Sequence, residues 1–229
     1  SLSDPDTGTG SYPKLGKPEM FGFGFDQLID IEEAWIDANK GDNNIDTTGF
    51  SGRVLINAGG GNDTINTGDG HDRIYGGGGQ DEIHSRGGND VVRGQGSNDL
   101  IDTGDGDDKV FGDSGNDSIS TGSGDDRLIA GSGNDTIIAG TGNDLLWARK
   151  NVNFTLTDTT FTGLGNDSIE GITGAWIKGG SKANSIDASG FTLGPVTLLG
   201  LGGDDTLIGT DADDSLDGYT GNDSLVAAG

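Results

Sequence analysis

A chain of 229 residues with 46 glycines, no cysteine and only 30% hydrophobic content has little material for a conventional core and none for disulfide stapling. Its formal charge of −25 excludes the basic surface that a nucleic-acid partner needs. No apolar run reaches membrane-spanning length, and no signal-peptide pattern is present; beginning at Ser1, the chain reads as a processed product or a slice.

Residues 1 to 20 read as an extended N-terminal arm carrying three of the four prolines, Pro5, Pro13 and Pro18. Met20, Phe21, Phe23 and Phe25 follow as a plug over the end of a core. Residues 21 to 57 are expected to form divergent capping coils. Within them, residues 26 to 38 place Leu28, Ile31 and Trp35 at helical spacing, but a second observation overrules a helix. Shifted by 141, Gly22, Gly24, Asp26, Ala34, Trp35, Ile36, Ile45 and Asp46 fall on Gly163, Gly165, Asp167, Ala175, Trp176, Ile177, Ile186 and Asp187, and the later copy holds Gly171 and Gly174. Both copies therefore read as solenoid coils with G-x-G-x-D-x-U at Gly22 to Leu28 and Gly163 to Ile169. Each then contains a unit in which Asn43 or Asn184 replaces an acid, before the solenoid resumes through Val54 and Ile56, or Val196 and Leu198.

Residues 58 to 147 are ten uninterrupted copies of a nine-residue unit, G-G-x-G-x-D-x-U-x. Position 6 is Asp63, Asp72, Asp81, Asp90, Asp99, Asp108, Asp117, Asp126, Asp135 and Asp144; position 8 is always Ile, Val or Leu. The first six residues make a turn whose glycines permit positive φ, and the last three make a short strand with position 8 facing inward. Two units form one coil of eighteen residues, so odd-numbered units build one parallel sheet and even-numbered units another. Ordering nine residues costs roughly 10 kcal/mol, whereas burying one Ile returns about 2 to 3 kcal/mol. Stacking also brings aspartates together at about 4.8 Å, the spacing of adjacent strands. A hard dication resolves both problems, and Ca²⁺ accepts six to eight carboxylate and carbonyl oxygens in flexible geometry. The bias of 33 Asp to 5 Glu suits tight ligand loops better than mere solubility.

The runs beginning at Gly59, Thr67 and Gly76 resemble the repeats-in-toxin (RTX, hemolysin-type) nonapeptide of secreted bacterial proteins. The resemblance implies an all-β, right-handed parallel β-roll, with even-position carbonyls plus the Asp side chain serving one ion and odd-position carbonyls serving the ion on the other side. The carbonyl ligands at position 4 are then Gly61, Gly70, Gly79, Gly88, Gly106, Gly115, Gly124, Gly133 and Gly142. Departures at position 2 (Arg86, Gln95, Asp113) and position 4 (Ser97) put the local loop geometry in question more than the binding. Counting gaps between stacked loops gives about nine ions.

Residues 148 to 200 form the second divergent module, in which Asn151 to Phe161 alternates as a β-strand expected to close the first array. Residues 201 to 229 form a short second array with Asp205, Asp214 and Asp223 at position 6. It stops in mid-unit, so the chain looks cut from something longer, and the C-terminal secretion signal usual in RTX proteins is not visible.

Catalysis has little to stand on. His71 and His84 are the only histidines, they occupy different positions of different units, and no H-E-x-x-H, G-x-S-x-G or cysteine nucleophile occurs. The favoured role is a calcium-dependent structural solenoid, secreted or on the cell surface, in a bacterial surface layer, adhesin or filament. The alternative is the secretion and folding module of a type I-secreted exoenzyme. Ice binding would want a threonine ladder at position 3, which is absent. Partners expected besides calcium are other copies of the chain or of its parent, with an anionic polysaccharide as a further choice. The contact face suggested by the outward positions of even-numbered units carries Arg73, Tyr75, Arg93, Lys109, Phe111, Arg127, Ile129 and Trp147.

Overall fold

The computed structural model describes residues 32 to 227, in which every regular element is a β-strand. The expectations for the arm, the aromatic plug and Gly22 to Leu28 lie outside these residues. The strands form one ten-stranded and one twelve-stranded sheet, and the chain passes between the two in nearly every coil.

The alternation between sheets follows the unit. Ile65, Ile83, Ile101, Ile119 and Ile137 align as consecutive parallel partners in the twelve-stranded sheet. Ile74, Val92, Val110, Leu128 and Leu146 do so in the ten-stranded sheet. All ten are at most 1% exposed, because side chains alternate along a strand and position 8 takes the inward side of its x-U-x triplet. The repeat core is thus built on a double column of aliphatics.

The echo at 141 residues also forms strands. Glu33–Asp37 and Gly174–Lys178 both belong to the ten-stranded sheet, and Asn44–Asp46 and Ser185–Gly190 to the other. In the first copy Ala34 and Ile36 are buried while Trp35 is 51% exposed, which is strand alternation and not a helical stripe. Val54, Ile56, Val196 and Leu198 return to the core as expected.

One expectation needs correction. Asn151 to Phe161 does not close the first array. Phe154–Thr157 and Thr160–Thr162 form an antiparallel hairpin, and the twelve-stranded sheet runs through it: Asn166–Glu170 pairs on one side with Thr136–Ile138, and Phe154–Thr157 pairs with Ser185–Gly190 on the other. In the ten-stranded sheet, Leu145–Arg149 instead neighbours Gly174–Lys178 directly. The alternating side chains of Phe154, Leu156 and Phe161 are all buried, so the hairpin continues the core where closure was expected.

Candidate metal centres

The loops between strands stack along the two edges of the solenoid, and their aspartates link loop to loop. The backbone N–H of Asp63 donates to Oδ1 of Asp81 at 2.9 Å, and Asp81, Asp99 and Asp117 donate in the same way to Asp99, Asp117 and Asp135. On the opposite edge Asp72, Asp90, Asp108 and Asp126 donate to Asp90, Asp108, Asp126 and Asp144 at 2.7 to 3.0 Å. Each carboxylate therefore leans back onto the loop one coil earlier.

Only one oxygen of each is used. All ten aspartates are at most 3% exposed, and the Oδ2 of every one is buried with no hydrogen-bond partner. A buried, ionised oxygen without a partner is costly. Burial accordingly raises these carboxyl pKa values: Asp90 is pushed up to about 8, Asp99 and Asp108 to about 7, and Asp81 and Asp117 to about 6, with neighbouring carboxylates adding to the rise.

Backbone carbonyl oxygens lie beside these loops. Gly79 and Gly106 have φ of 127° and 134°, and a Cβ on either would collide with the carbonyl oxygen of Gly61 or Gly88 in the loop one coil earlier. A Cβ on Gly94 would likewise meet Oδ2 of Asp99. Position 4 thus packs against the preceding loop's carbonyl, while position 1 leaves room for the carboxylate. The positions where glycine is missing keep the same backbone: Arg86, Gln95, Ser97 and Asp113 have φ of 72°, 80°, 80° and 69°. The local geometry that these departures put in question is retained, at the cost of strain.

Among the described residues no group of three or more His, Cys, Asp or Glu side chains converges. The donor set is a single carboxylate per loop with main-chain oxygens, all hard oxygen ligands and no nitrogen or sulfur, which suits Ca²⁺ and not a transition metal. The orphaned Oδ2 atoms fit such an ion, which supplies the positive charge they lack.

More than half of the chain matches the model of the RTX calcium-binding nonapeptide repeat, in four copies at residues 55–83, 84–119, 120–150 and 197–229. The chain belongs to the RTX repeat family. It is an all-strand parallel β-solenoid of calcium-binding repeats. No curated protein matches it.

In the second RTX array the three aspartates are not equivalent. Asp205 resembles the first array, being 1% exposed with an unpartnered Oδ2, and its N–H donates to Asp223 Oδ1 at 2.9 Å. Asp214 differs, because Thr210 donates to both of its oxygens, from N–H at 2.5 Å and from the hydroxyl at 2.9 Å. Thr210 and Ala212 stand there in place of the two loop glycines.

The two Asn side chains find partners in the protein. Asn184 Oδ1 accepts the Gly180 N–H at 2.8 Å and its amide donates to the Val152 carbonyl at 3.1 Å, and the Asn43 amide donates to the Gly41 carbonyl. Their side chains are satisfied without metal.

Two features escaped the list of site residues. Asp167 shares the burial and the orphaned Oδ2 of the repeat aspartates. The sequence signal was its G-x-G-x-D-x-U setting, hidden by a 32-residue step from Asp135. On one edge only, Thr67, Ser85, Thr103 and Thr121 occupy position 1, fully buried, and each hydroxyl donates to the carbonyl of the next coil at 2.9 to 3.4 Å. A hydroxyl every eighteen residues was the legible sign. The adjacent acids divide their work: exposed Asp107 accepts the Asp125 N–H at 2.9 Å, while Asp108 is buried. Neither histidine joins a carboxylate ladder; His71 Nδ1 accepts the Asn89 N–H and His84 lies 3.1 Å from Glu82.

The residues of the suggested contact face share the outer side of the ten-stranded sheet, where Tyr75, Arg93, Phe111 and Ile129 form one column. They interact with one another: Arg93 lies 3.8 Å from the Phe111 ring centre and 3.1 Å from Asp113, and Arg127 lies 5.6 Å from the ring centre of Trp147. Trp147 in turn packs on Trp176 at 4.8 Å, an aromatic that the sequence reading left out of the face.

Proposed function

We propose that this RTX solenoid is a calcium-hardened structural segment that orders outside the cell and there forms part of a surface layer, adhesin or filament. The observation that carries the calcium dependence is the buried, partnerless Oδ2 repeated in all ten units. A metal-free solenoid would have to bury that row of charge uncompensated. Aspartates 63 to 144 and their position-4 carbonyls hold about eight ions in the gaps of two five-loop stacks, and Asp205 with Asp223 holds one more, about nine in all. Asp214 contributes little, since Thr210 already occupies its carboxylate.

Extracellular calcium modules work at about 10⁻⁴ to 10⁻³ M, far above cytosolic levels, so the chain would leave a cell unfolded and set outside. The structural role is supported by the echo, since the same divergent coil is used twice, with strands Glu33–Asp37 and Gly174–Lys178 both in the ten-stranded sheet. The segments proposed are the arm (1–20), the two divergent modules (21–57 and 148–200) and the two arrays (58–147 and 201–229). The partner proposed is another copy, docking on the basic and aromatic outer face. An open groove of about 470 Å³ beside Trp147 and Trp176 adds apolar surface to it. Circular dichroism during a calcium titration, with electron microscopy of the loaded chain, tests the reading. A β-rich spectrum unchanged by excess chelator sinks the calcium gating, and dispersed single particles at saturating calcium sink the assembly.

A further inference from the structure

The largest departure from the eighteen-residue step along the first array is at the inserted hairpin, where Asp135 is followed 32 residues later by Asp167. The loop of residues 162 to 167 enters from strand Thr160–Thr162 of the same sheet and not across from the other sheet. It nevertheless repeats the bonds of a regular step. Between Asp117 and Asp135, one coil apart, Asp117 N–H donates to Asp135 Oδ1 at 2.8 Å, Asn134 N–H to Asn116 Oδ1 at 2.8 Å, Thr136 N–H to the Asp117 carbonyl at 2.8 Å, and Gly115 N–H to the Ser132 carbonyl at 2.9 Å. Across the break, Asp135 N–H donates to Asp167 Oδ1 at 3.0 Å, Asn166 N–H to Asn134 Oδ1 at 2.9 Å, Ser168 N–H to the Asp135 carbonyl at 2.8 Å, and Gly133 N–H to the Leu164 carbonyl at 3.3 Å. Asp167 is 2% exposed, and its Oδ2 is buried without a partner. A Cβ on Gly165 would collide with the Gly133 carbonyl oxygen, just as one on Gly133 would collide with that of Gly115. Residues 162 to 167 lie outside every stretch that matches the repeat family.

We infer that a calcium ion is held between the repeat loop 130–135 and the hairpin-exit loop 162–167, with Asp167 as its acidic ligand, and that it clasps the hairpin onto the end of the first array. The proposal rests on the calcium reading above. Asp135, the other carboxylate at this junction, leans back onto the loop of Asp117, so the carboxylate leaning onto the loop of Asp135 is that of Asp167. Past Asp144 on the opposite edge, the next loop meets the Asp144 carbonyl with donors and no carboxylate: the N–H groups of Thr173 and Gly174 at 3.0 and 3.2 Å and the Thr173 hydroxyl at 3.2 Å. Past Asp167 on its own edge comes Asn184, whose amide is already satisfied. The second array, which reaches the hairpin through the intervening strand Ser185–Gly190, orders once this ion is in place.

The test uses the full chain at saturating calcium, comparing Asp167→Asn with the unchanged protein. Bound calcium measured by equilibrium dialysis should fall by one ion per chain. Amide exchange across residues 154–170 and 185–208 should quicken at least tenfold while residues 64–129 stay protected. An unchanged ion count overturns the proposal, and so does the loss of one ion with unchanged protection over 154–170. Should Asp167→Asn fail to fold, Asp144→Asn is the control: its folding supports a special role for Asp167, whereas equal failure of both removes it. Absence of any calcium-induced β-signal in the unchanged chain would instead refute calcium gating itself, which separates the two failures.

Discussion

Asp99 shows what a single residue does in this molecule. Its Oδ1 accepts the Asp81 N–H, its own N–H donates to Asp117, and its Oδ2 is buried without a partner. Asp99→Ala removes an acceptor and a ligand facing two ion gaps. The calcium concentration at the folding midpoint should rise several-fold, whereas Asp223→Ala at the last described loop should barely move it; equal shifts in a dichroism titration would contradict the ladder. The pH dependence has a definite sign. Burial raises the carboxyl pKa of Asp90 to about 8 and of Asp99 and Asp108 to about 7, so the metal-free fold prefers them protonated. That contribution to stability is fully present below the ordinary carboxyl pKa, near 4, and is lost as pH rises from there through the raised values of about 7 to 8. Protons and calcium therefore compete. The midpoint calcium concentration should increase as pH falls from 8 to 6, and in chelator the β-signal should be greater at pH 4 than at pH 8. A midpoint independent of pH would show that these carboxylates are not the ligands.

At the scale of the element, one nine-residue loop is held by backbone conformation more than by side-chain packing. Gln95 adopts a φ of 80° where most units use glycine, a strain of about 1 kcal/mol. Gln95→Gly should leave calcium-loaded stability unchanged or raise it by up to about 1 kcal/mol in thermal unfolding, glycine's entropy offsetting part of the relief. Gly106→Ala should do the opposite, because its Cβ would run into the Gly88 carbonyl oxygen as well as strain a φ of 134°. The Asn43 unit orders by stacking, since its amide is satisfied locally and Asn43 N–H needs Oδ1 of Asp63 in the next coil. A fragment of residues 1 to 57 should stay disordered at millimolar calcium; its folding alone would disprove the capping role.

For the whole molecule, each coil contacts mainly its neighbours, so stability is a sum of unit and interface terms and ions add it coil by coil. Self-association is expected to use the outer face of the ten-stranded sheet. Replacing Arg93, Phe111 and Arg127 by Ser should leave calcium-induced folding intact and abolish association in sedimentation; unchanged association would remove that face from consideration. The competing role of these side chains is visible, since Arg93 already stacks on Phe111 and pairs with Asp113. The sequence by itself determined the two sheets, the inward aliphatics and both aspartate ladders. In a solenoid, residues eighteen apart in sequence are neighbours in space, so the repeat register is also the contact register. Only the tertiary structure decided what happens where that equality breaks. Between Asp135 and Asp167 the step is 32 residues, and a strand pattern that reads as a terminus becomes a hairpin within a continuous sheet. At Asp214 the register holds, but Thr210 closes on the carboxylate, because a side chain that forms its own hydrogen bonds leaves no period to read.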